Sequence, residues 1–354
     1  MHKLRKITWM LAAVGLCTNA QAIELVTDGD TSLKIGGFVK AEGIFAYPDD
    51  KDNSFKGNMR ESRINLEVNT LVEDKKLKGF IEGDFYGDYA NGGSDLRLRH
   101  AYLQMDNLTI GKTWSGQFYA AAPLLTEQLD FYGGGLATAA GTGLTIRPDL
   151  TVHYTKNGLR LTAQDPIYDH ADYPDLVASY RGKVPSFGES TPDIDYIIAV
   201  MGRDVSTGVQ NSKDSDLGIG ASLTGRLNLD FGSLHASIFT GEGMGVYSGV
   251  CVTGPLNAAI LDSCDAENGK LVSQTGYRVG YKHKLTPKLS SNMRYGKVKV
   301  DDSADTSLEV KSINLIYNYL PDVDFGIELR DRSETTVPWR QAGQEVEVMA
   351  KYTF

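Results

Sequence analysis

At 354 residues, with 36 lysines and arginines against 45 aspartates and glutamates, the chain is long for one soluble domain and carries a formal net charge of −9. No run of about 18 apolar residues occurs, so a helical membrane span is excluded. Nucleic acid is not among the expected partners.

The first element is one that is cut away. Lys3, Arg5 and Lys6 form a positive stretch, Ile7 to Cys17 a short apolar run, and Ala20, Gln21 and Ala22 a small-x-small cleavage pattern. Residues 1–22 are therefore expected to be a signal peptide and 23–354 a single exported domain. Cys17 raises a lipoprotein signal as a minor alternative, against which Leu16 stands where a small residue is needed.

From there the chain alternates with period two, the signature of strands. Leu33, Ile35, Gly37, Val39, Ala41, Gly43 and Phe45 share one face, and Lys34, Lys40 and Glu42 the other. Ile64, Leu66 and Val68 oppose Arg63, Asn65 and Glu67; Leu77, Gly79, Ile81, Gly83 and Phe85 oppose Glu82 and Asp84. The rhythm returns in Leu217–Leu223, in Tyr277, Val279 and Tyr281 around Arg278, and in Phe325, Ile327 and Leu329 against Asp324, Glu328 and Arg330. It ends in Val346, Val348, Ala350, Tyr352 and the terminal Phe354.

A soluble sheet would alternate too, but here the apolar face is padded with Gly, Ala and single aliphatics, which suits lipid better than an interlocked core. Connections also alternate in length. Short ones fall near residues 73–76, 106–107, 156–158, 227–230, 286–287 and 321–322; long ones near 48–59, 114–146, 164–174, 203–215, 242–273, 300–307 and 331–344. Short turns on one side and long loops on the other describe an all-β transmembrane antiparallel barrel, with periplasmic turns and extracellular loops. The segments count to 16 strands, a size that leaves an aqueous channel. Tyr47, Tyr86, Tyr102, Tyr154, Tyr281 and Tyr319 fall near strand ends, where their rings are expected in the interfacial girdle. Cys251 and Cys264 are expected to form one local disulfide in an oxidising compartment, two free thiols being the alternative.

The loop between the fifth and sixth strands carries an Ala-rich segment, Leu124-Leu125 and then a Gly run after Phe131 and Tyr132, too apolar for an exposed loop. Folded into the lumen, it would narrow the channel and offer Glu127 and Asp130 to the constriction; a loop at a trimer contact is the alternative. Arg63, Arg97, Arg99 and Arg147 are expected on the facing wall, with Arg160 extending the row. Arginine stays charged and matches carboxylates with a bidentate fork, and a cationic rim in a low-dielectric constriction concentrates anions. Lys40, Glu82, Asp84, Arg278, Arg294 and Arg330 complete the expected lumen-facing set. The plainer reading is that these arginines are solvated or paired with Glu61, Glu67, Glu82 or Asp84. A general non-selective porin, or a structural or adhesive barrel with a filled lumen, are the competing functions. Acidic clusters in the loops, such as Asp49, Asp50 and Asp52, could hold divalent cations at a lipopolysaccharide surface, though solvated loops are the simpler expectation. The histidines are scattered, and no HExxH, Gly-x-Ser-x-Gly or Cys–His spacing appears, so no catalytic residues, metal or cofactor are expected.

Lys34-Ile-Gly-Gly-Phe-Val-Lys-Ala, Arg63-Ile-Asn-Leu-Glu-Val, Glu82-Gly-Asp-Phe-Tyr-Gly, Leu96-Arg-Leu-Arg-His-Ala-Tyr-Leu and Gly111-Lys-Thr-Trp-Ser resemble the DcaP-like trimeric porins of the Gram-negative outer membrane. The resemblance covers roughly residues 33 to 118. It implies a homotrimer of 16-stranded barrels with an inward third loop, taking up small organic acids, including dicarboxylates and aromatic acids. It implies that Arg63, Arg97 and Arg147 are constriction arginines, that Arg99 shares their face, and that Glu127 and Asp130 form the acidic side. Lipopolysaccharide, outer-membrane lipid and the assembly machinery, met through Phe354, are the other expected partners. The family's type member has a coiled-coil segment before its barrel, whereas about ten residues are expected here between the cleavage site and the first strand.

Overall fold

A computed structural model of the chain describes residues 22–87, 93–116, 124–129, 147–166, 171–185, 192–207, 214–248, 265–332 and 342–354. The expected signal peptide before Ala22, Asp130, Cys251 and Cys264 lie outside them.

The strands in chain order begin with β1 (Ile23–Asp28), β2 (Thr31–Pro48), β3 (Ser54–Asn58), β4 (Arg63–Val72) and β5 (Lys75–Gly87). There follow β6 (Asp95–Met105), β7 (Leu108–Lys112), β8 (Thr151–Lys156), β9 (Leu159–Gln164), β10 (Asp175–Val184) and β11 (Ile194–Ser206). Then come β12 (Ser215–Leu229), β13 (Gly232–Glu242), the single turn α1 (Gly245–Ser248), and a small hairpin of β14 (Ala266–Glu267) and β15 (Lys270–Leu271). The series closes with β16 (Ser273–Thr286), β17 (Leu289–Val300), β18 (Ser307–Leu320), β19 (Val323–Arg332) and β20 (Gly343–Thr353).

All but the small hairpin form one antiparallel sheet, and that sheet closes. β20 pairs with β2 from Phe38↔Thr353 to Pro48↔Gly343. The other edge of β2 carries β3 and β4, which occupy a single wall position interrupted at residues 59–62. β1 pairs with the start of β2, beyond the end of β20. The sheet therefore fills 16 wall positions, and each has hydrogen-bonded neighbours on both sides. Closure matters because lipid offers no partner for an open strand edge.

Turn chemistry places the hairpins. Glu73 and Asp74 both have positive φ (48° and 64°), as do Asn157 and Gly158 (50° and 86°), the mirror-image turns that match the twist of two-residue hairpins. Pro287 and Pro321 end strands at the same rim. The long connections gather at the opposite rim.

Outward positions such as Ile64, Leu66, Leu98, Leu223 and Leu329 are exposed, while their neighbours in sequence are polar and turned inward. An apolar belt around a closed barrel with a polar interior is the arrangement of a transmembrane barrel. Tyr47, Tyr154 and Tyr319 are exposed on the outside, as expected of girdle residues. Tyr86 and Tyr102 are not: the Tyr86 hydroxyl accepts from Asn58 Nδ2 (2.8 Å), and Tyr102 stacks on lumen-facing Phe80 at 5.3 Å. Tyr86 shares the parity of Glu82 and Asp84, and a bulge in β6 turns Tyr102 inward.

The seam depends on Gly37. Its N–H donates to the Phe354 carbonyl and its carbonyl accepts from Phe354 N–H, both at 3.0 Å. Its φ is 149°, and a Cβ there would lie 2.2 Å from the Arg63 carbonyl oxygen. Gly37→Ala is expected to destabilise the closed barrel by about 1–3 kcal/mol, read as a lower temperature for loss of the fast-migrating folded band on unheated gels.

Candidate functional site: the pore constriction

Three strands build the cationic wall. Register sets Arg63 of β4 opposite Asp84 of β5, and Asp84 opposite Arg97 of β6. Glu82 then pairs with His100 while Gly83 pairs with Leu98, so Arg99 is the extra residue of a bulge. That bulge lets Arg97 and Arg99 both point inward and reverses the parity beyond them. Arg97 forks onto Asp84 (Nε–Oδ1 2.9 Å, Nη2–Oδ2 2.6 Å). Arg99 bridges Glu82 (2.9 Å) and Asp84 (2.7 Å), and Arg63 lies 3.8 Å from Glu82. Arg147, just before β8, sits 4.5 Å over the Trp114 ring, with Arg99 at 6.0 Å; Arg63 lies over Phe38 and Arg97 over Tyr86.

The roles separate by exposure. The Arg99 side chain is fully covered and acts as a strut, whereas Arg97 keeps 36% and Arg63 20% of its side chain exposed to the lumen. Among the described residues, four guanidinium groups gather around Glu82 and Asp84, and aromatic faces hold a cation without cancelling its charge.

The opposite wall carries the inward loop between β7 and β8. Leu124 is fully buried against Ile197 and Ala199 of β11. The next residues cross the lumen side of six more strands: His235 of β13 meets the Leu124 carbonyl, and Arg278 of β16 donates to Thr126 Oγ1 (3.3 Å). Lys282 pairs with Glu127, and Asn292 of β17 accepts from Glu127 N–H (3.3 Å). Arg294 binds Gln128, and Asn314 of β18 donates to the Glu127 carbonyl (3.1 Å). Leu129 N–H donates to Glu328 of β19 (3.0 Å), and its carbonyl accepts from Lys40 of β2. Glu127 thus stands across the lumen from the arginines, its charge shared with Lys282.

The remaining expected positions have structural work. Lys40 bridges Glu42 and Glu61, which the break between β3 and β4 brings in. Arg330 spans Glu328, Glu345 and Glu347 within 3.0 Å. Arg278 and Arg294 brace the loop. Arg160 stands apart from the cluster: it pairs with Ser179 in register, beside the Asn157–Gly158 turn, and donates to Thr155 Oγ1 (2.9 Å).

A second inward segment was not legible in the sequence. After β13 the chain turns into the lumen, so that Met244, Val246 and Tyr247 pack with Val177, Met201 and Phe239 in a buried apolar cluster. Arg203 of β11 pins both ends of this excursion, donating to the Gly243 carbonyl (2.9 Å) and to Asp265 (2.8 Å). The signal available was the apolar Met244–Tyr247 stretch beside inward Phe239. Burial, and then the Asp175 carboxylate beside it, hold the Tyr247 hydroxyl well above its ordinary pKa, so it stays a neutral donor.

No protein-family model matches the chain, and no curated protein matches it. Among solved structures, the outer membrane channel DcaP of Acinetobacter baumannii superposes with a TM-score of 0.74 at 22% identity, covering 93% of this chain and 99% of that one. OmpF of Salmonella typhi, in complex with daunomycin, gives 0.64 at 14% identity over 94% and 100%. The anion-selective porin from Comamonas acidovorans gives 0.62 at 13% identity over 92% and 100%. The chain has the porin fold: a closed 16-position antiparallel barrel with a loop turned into its lumen.

Leu124 anchors that loop by apolar burial. Leu124→Ala is expected to weaken its seat by about 2–4 kcal/mol, giving a larger and noisier single-channel conductance with the barrel still folded.

Proposed function

We propose that this protein is a porin of the Gram-negative outer membrane, related to the DcaP-like porins, that admits small organic anions by passive diffusion through a water-filled lumen. The observation that carries this reading is the gathering of Arg63, Arg97, Arg99 and Arg147 on one wall, with part of the Arg63 and Arg97 side chains exposed to the lumen, and the loop bearing Glu127 crossing the opposite wall. Charge separated across a narrow, low-dielectric passage orients dipolar solutes and raises the local concentration of counter-ions. Arg63 and Arg97 are the exposed pair, and carboxylates are the anions their planar forks match. Dicarboxylic and aromatic acids are the solute class.

The porin fold shared with the Acinetobacter channel and with a Comamonas porin described as anion-selective supports the same reading. So does the export signal read at residues 1–22. On this reading the protein assembles as a homotrimer in lipopolysaccharide-containing outer membrane, is recognised for assembly through Phe354, and has no catalytic role. Cys251 and Cys264 form a disulfide in the loop between β13 and β16.

The pairing of Arg97 and Arg99 with Asp84 favours the rival reading of a general porin, and one measurement separates the two. In a planar bilayer under a salt gradient, the wild-type channel is expected to show an anion-selective reversal potential. Arg63→Ala with Arg97→Ala is expected to move that potential toward zero or to the cation side. A cation-selective wild type, or no change in the double variant, sinks anion preference; the absence of any channel sinks the porin.

A further inference from the structure

One buried hydroxyl links the second inward segment, through a wall glutamine, to the root of the first. Tyr247, on α1, donates to Asp175 of β10 and accepts from Gln164 Nε2 of β9 at 2.7 Å. The other end of the same Gln164 amide accepts the N–H of Gly116, at the root of the loop after β7, at 2.9 Å. Gly116 packs closely against the wall, where a Cβ would lie 2.7 Å from Val177 Cβ and 2.8 Å from Thr162 Oγ1. Two residues earlier, the Trp114 carbonyl meets His153 Nε2 at 3.0 Å, and the Trp114 ring is the platform beneath Arg147. Tyr247 and Gln164 are both almost wholly buried, so a lost partner in this chain cannot be replaced by water without opening the packing.

We propose that Tyr247 is a positioning residue for the anion-preferring constriction: through Gln164 and Gly116 it fixes Trp114, and Trp114 fixes Arg147, so the segment after β13 tunes the selectivity of a wall it does not touch. The inference rests on the reading of that wall as an anion filter. Tyr247 meets no solute itself. Arg203 and Asp265 hold its segment in place, and the apolar cluster around Met244 and Val246 prevents the ring from swinging away.

The test uses the membrane-extracted protein in planar bilayers with succinate as the probe, and three variants: Tyr247→Phe, Gln164→Leu and the two combined. Each single variant is expected to shorten succinate residence about two- to tenfold, the range of one hydrogen bond, and to lower the anion-to-cation permeability ratio. The double variant is expected to add little to either, because both changes cut one path. In a Trp339→Phe background, Trp114 is the sole tryptophan of the mature protein, and its emission is expected to shift in both single variants. Should Tyr247→Phe fail to fold, Gln164→Leu alone carries the test, because Tyr247 and Asp175 keep their bond in it. An anion-selective wild type with both variants unchanged in selectivity and Trp114 emission overturns the inference. So do fully additive effects. A non-selective wild type defeats the anion reading instead, and the Trp114 emission then still decides whether the path from Tyr247 exists.

Discussion

Every backbone N–H and C=O of the wall must find its partner within the protein, because the surrounding lipid supplies none. That one constraint explains the closure of β2 on β20, the continuous antiparallel register, and the glycine at the seam where Phe354 returns to the start of the barrel. It also explains why irregular backbone lies where it does. The break between β3 and β4 sits beside inward-facing Ser62 and Glu61, whose side chains engage Lys40, and the bulge at Arg99 faces the lumen. Departures from the ladder occur where polar partners are at hand.

Closure fixes the outside and leaves the inside to be solved by charge. The lumen wall is dense with guanidinium and carboxylate groups, and most of them are occupied in holding something. Arg330 gathers three glutamates, Lys40 ties the broken strand to the inward loop, and Arg203 clamps the second excursion. Buried ion pairs of this kind give little net stability but leave a costly orphan when one partner is lost. They fix geometry. Against this background Arg63 and Arg97 differ in keeping part of their charge open to the channel.

The lumen is therefore lined by the wall and by two inward segments anchored to it. The first is held by hydrogen bonds from six strands to its backbone and side chains, an attachment insensitive to much of its sequence. The second is held by apolar burial and by Tyr247. Each segment has an apolar anchor, Leu124 in one and the Met244–Tyr247 stretch in the other, and each anchor lies on β10 or β11 or their neighbours.

Alternation of side chains was enough to establish the strands, their inward and outward faces, the short and long connections and the closed barrel, because a period-two backbone next to lipid leaves almost no freedom in which face is apolar. Lys40, Glu82, Asp84, Arg278, Arg294 and Arg330 face the lumen by that parity alone. Parity failed where the ladder slips: the bulge at Arg99 turned Tyr102 inward, and no local pattern announces a bulge. Partners across the barrel were equally hidden. That Arg160 lies beside a turn, that Lys282 meets Glu127, and that Tyr247 reaches Gly116 through Gln164 depend on register and curvature around sixteen positions, which set distances between residues far apart in sequence. Composition and periodicity determined the wall and its polarity; only the closed tertiary structure decided which charges stand together across the water.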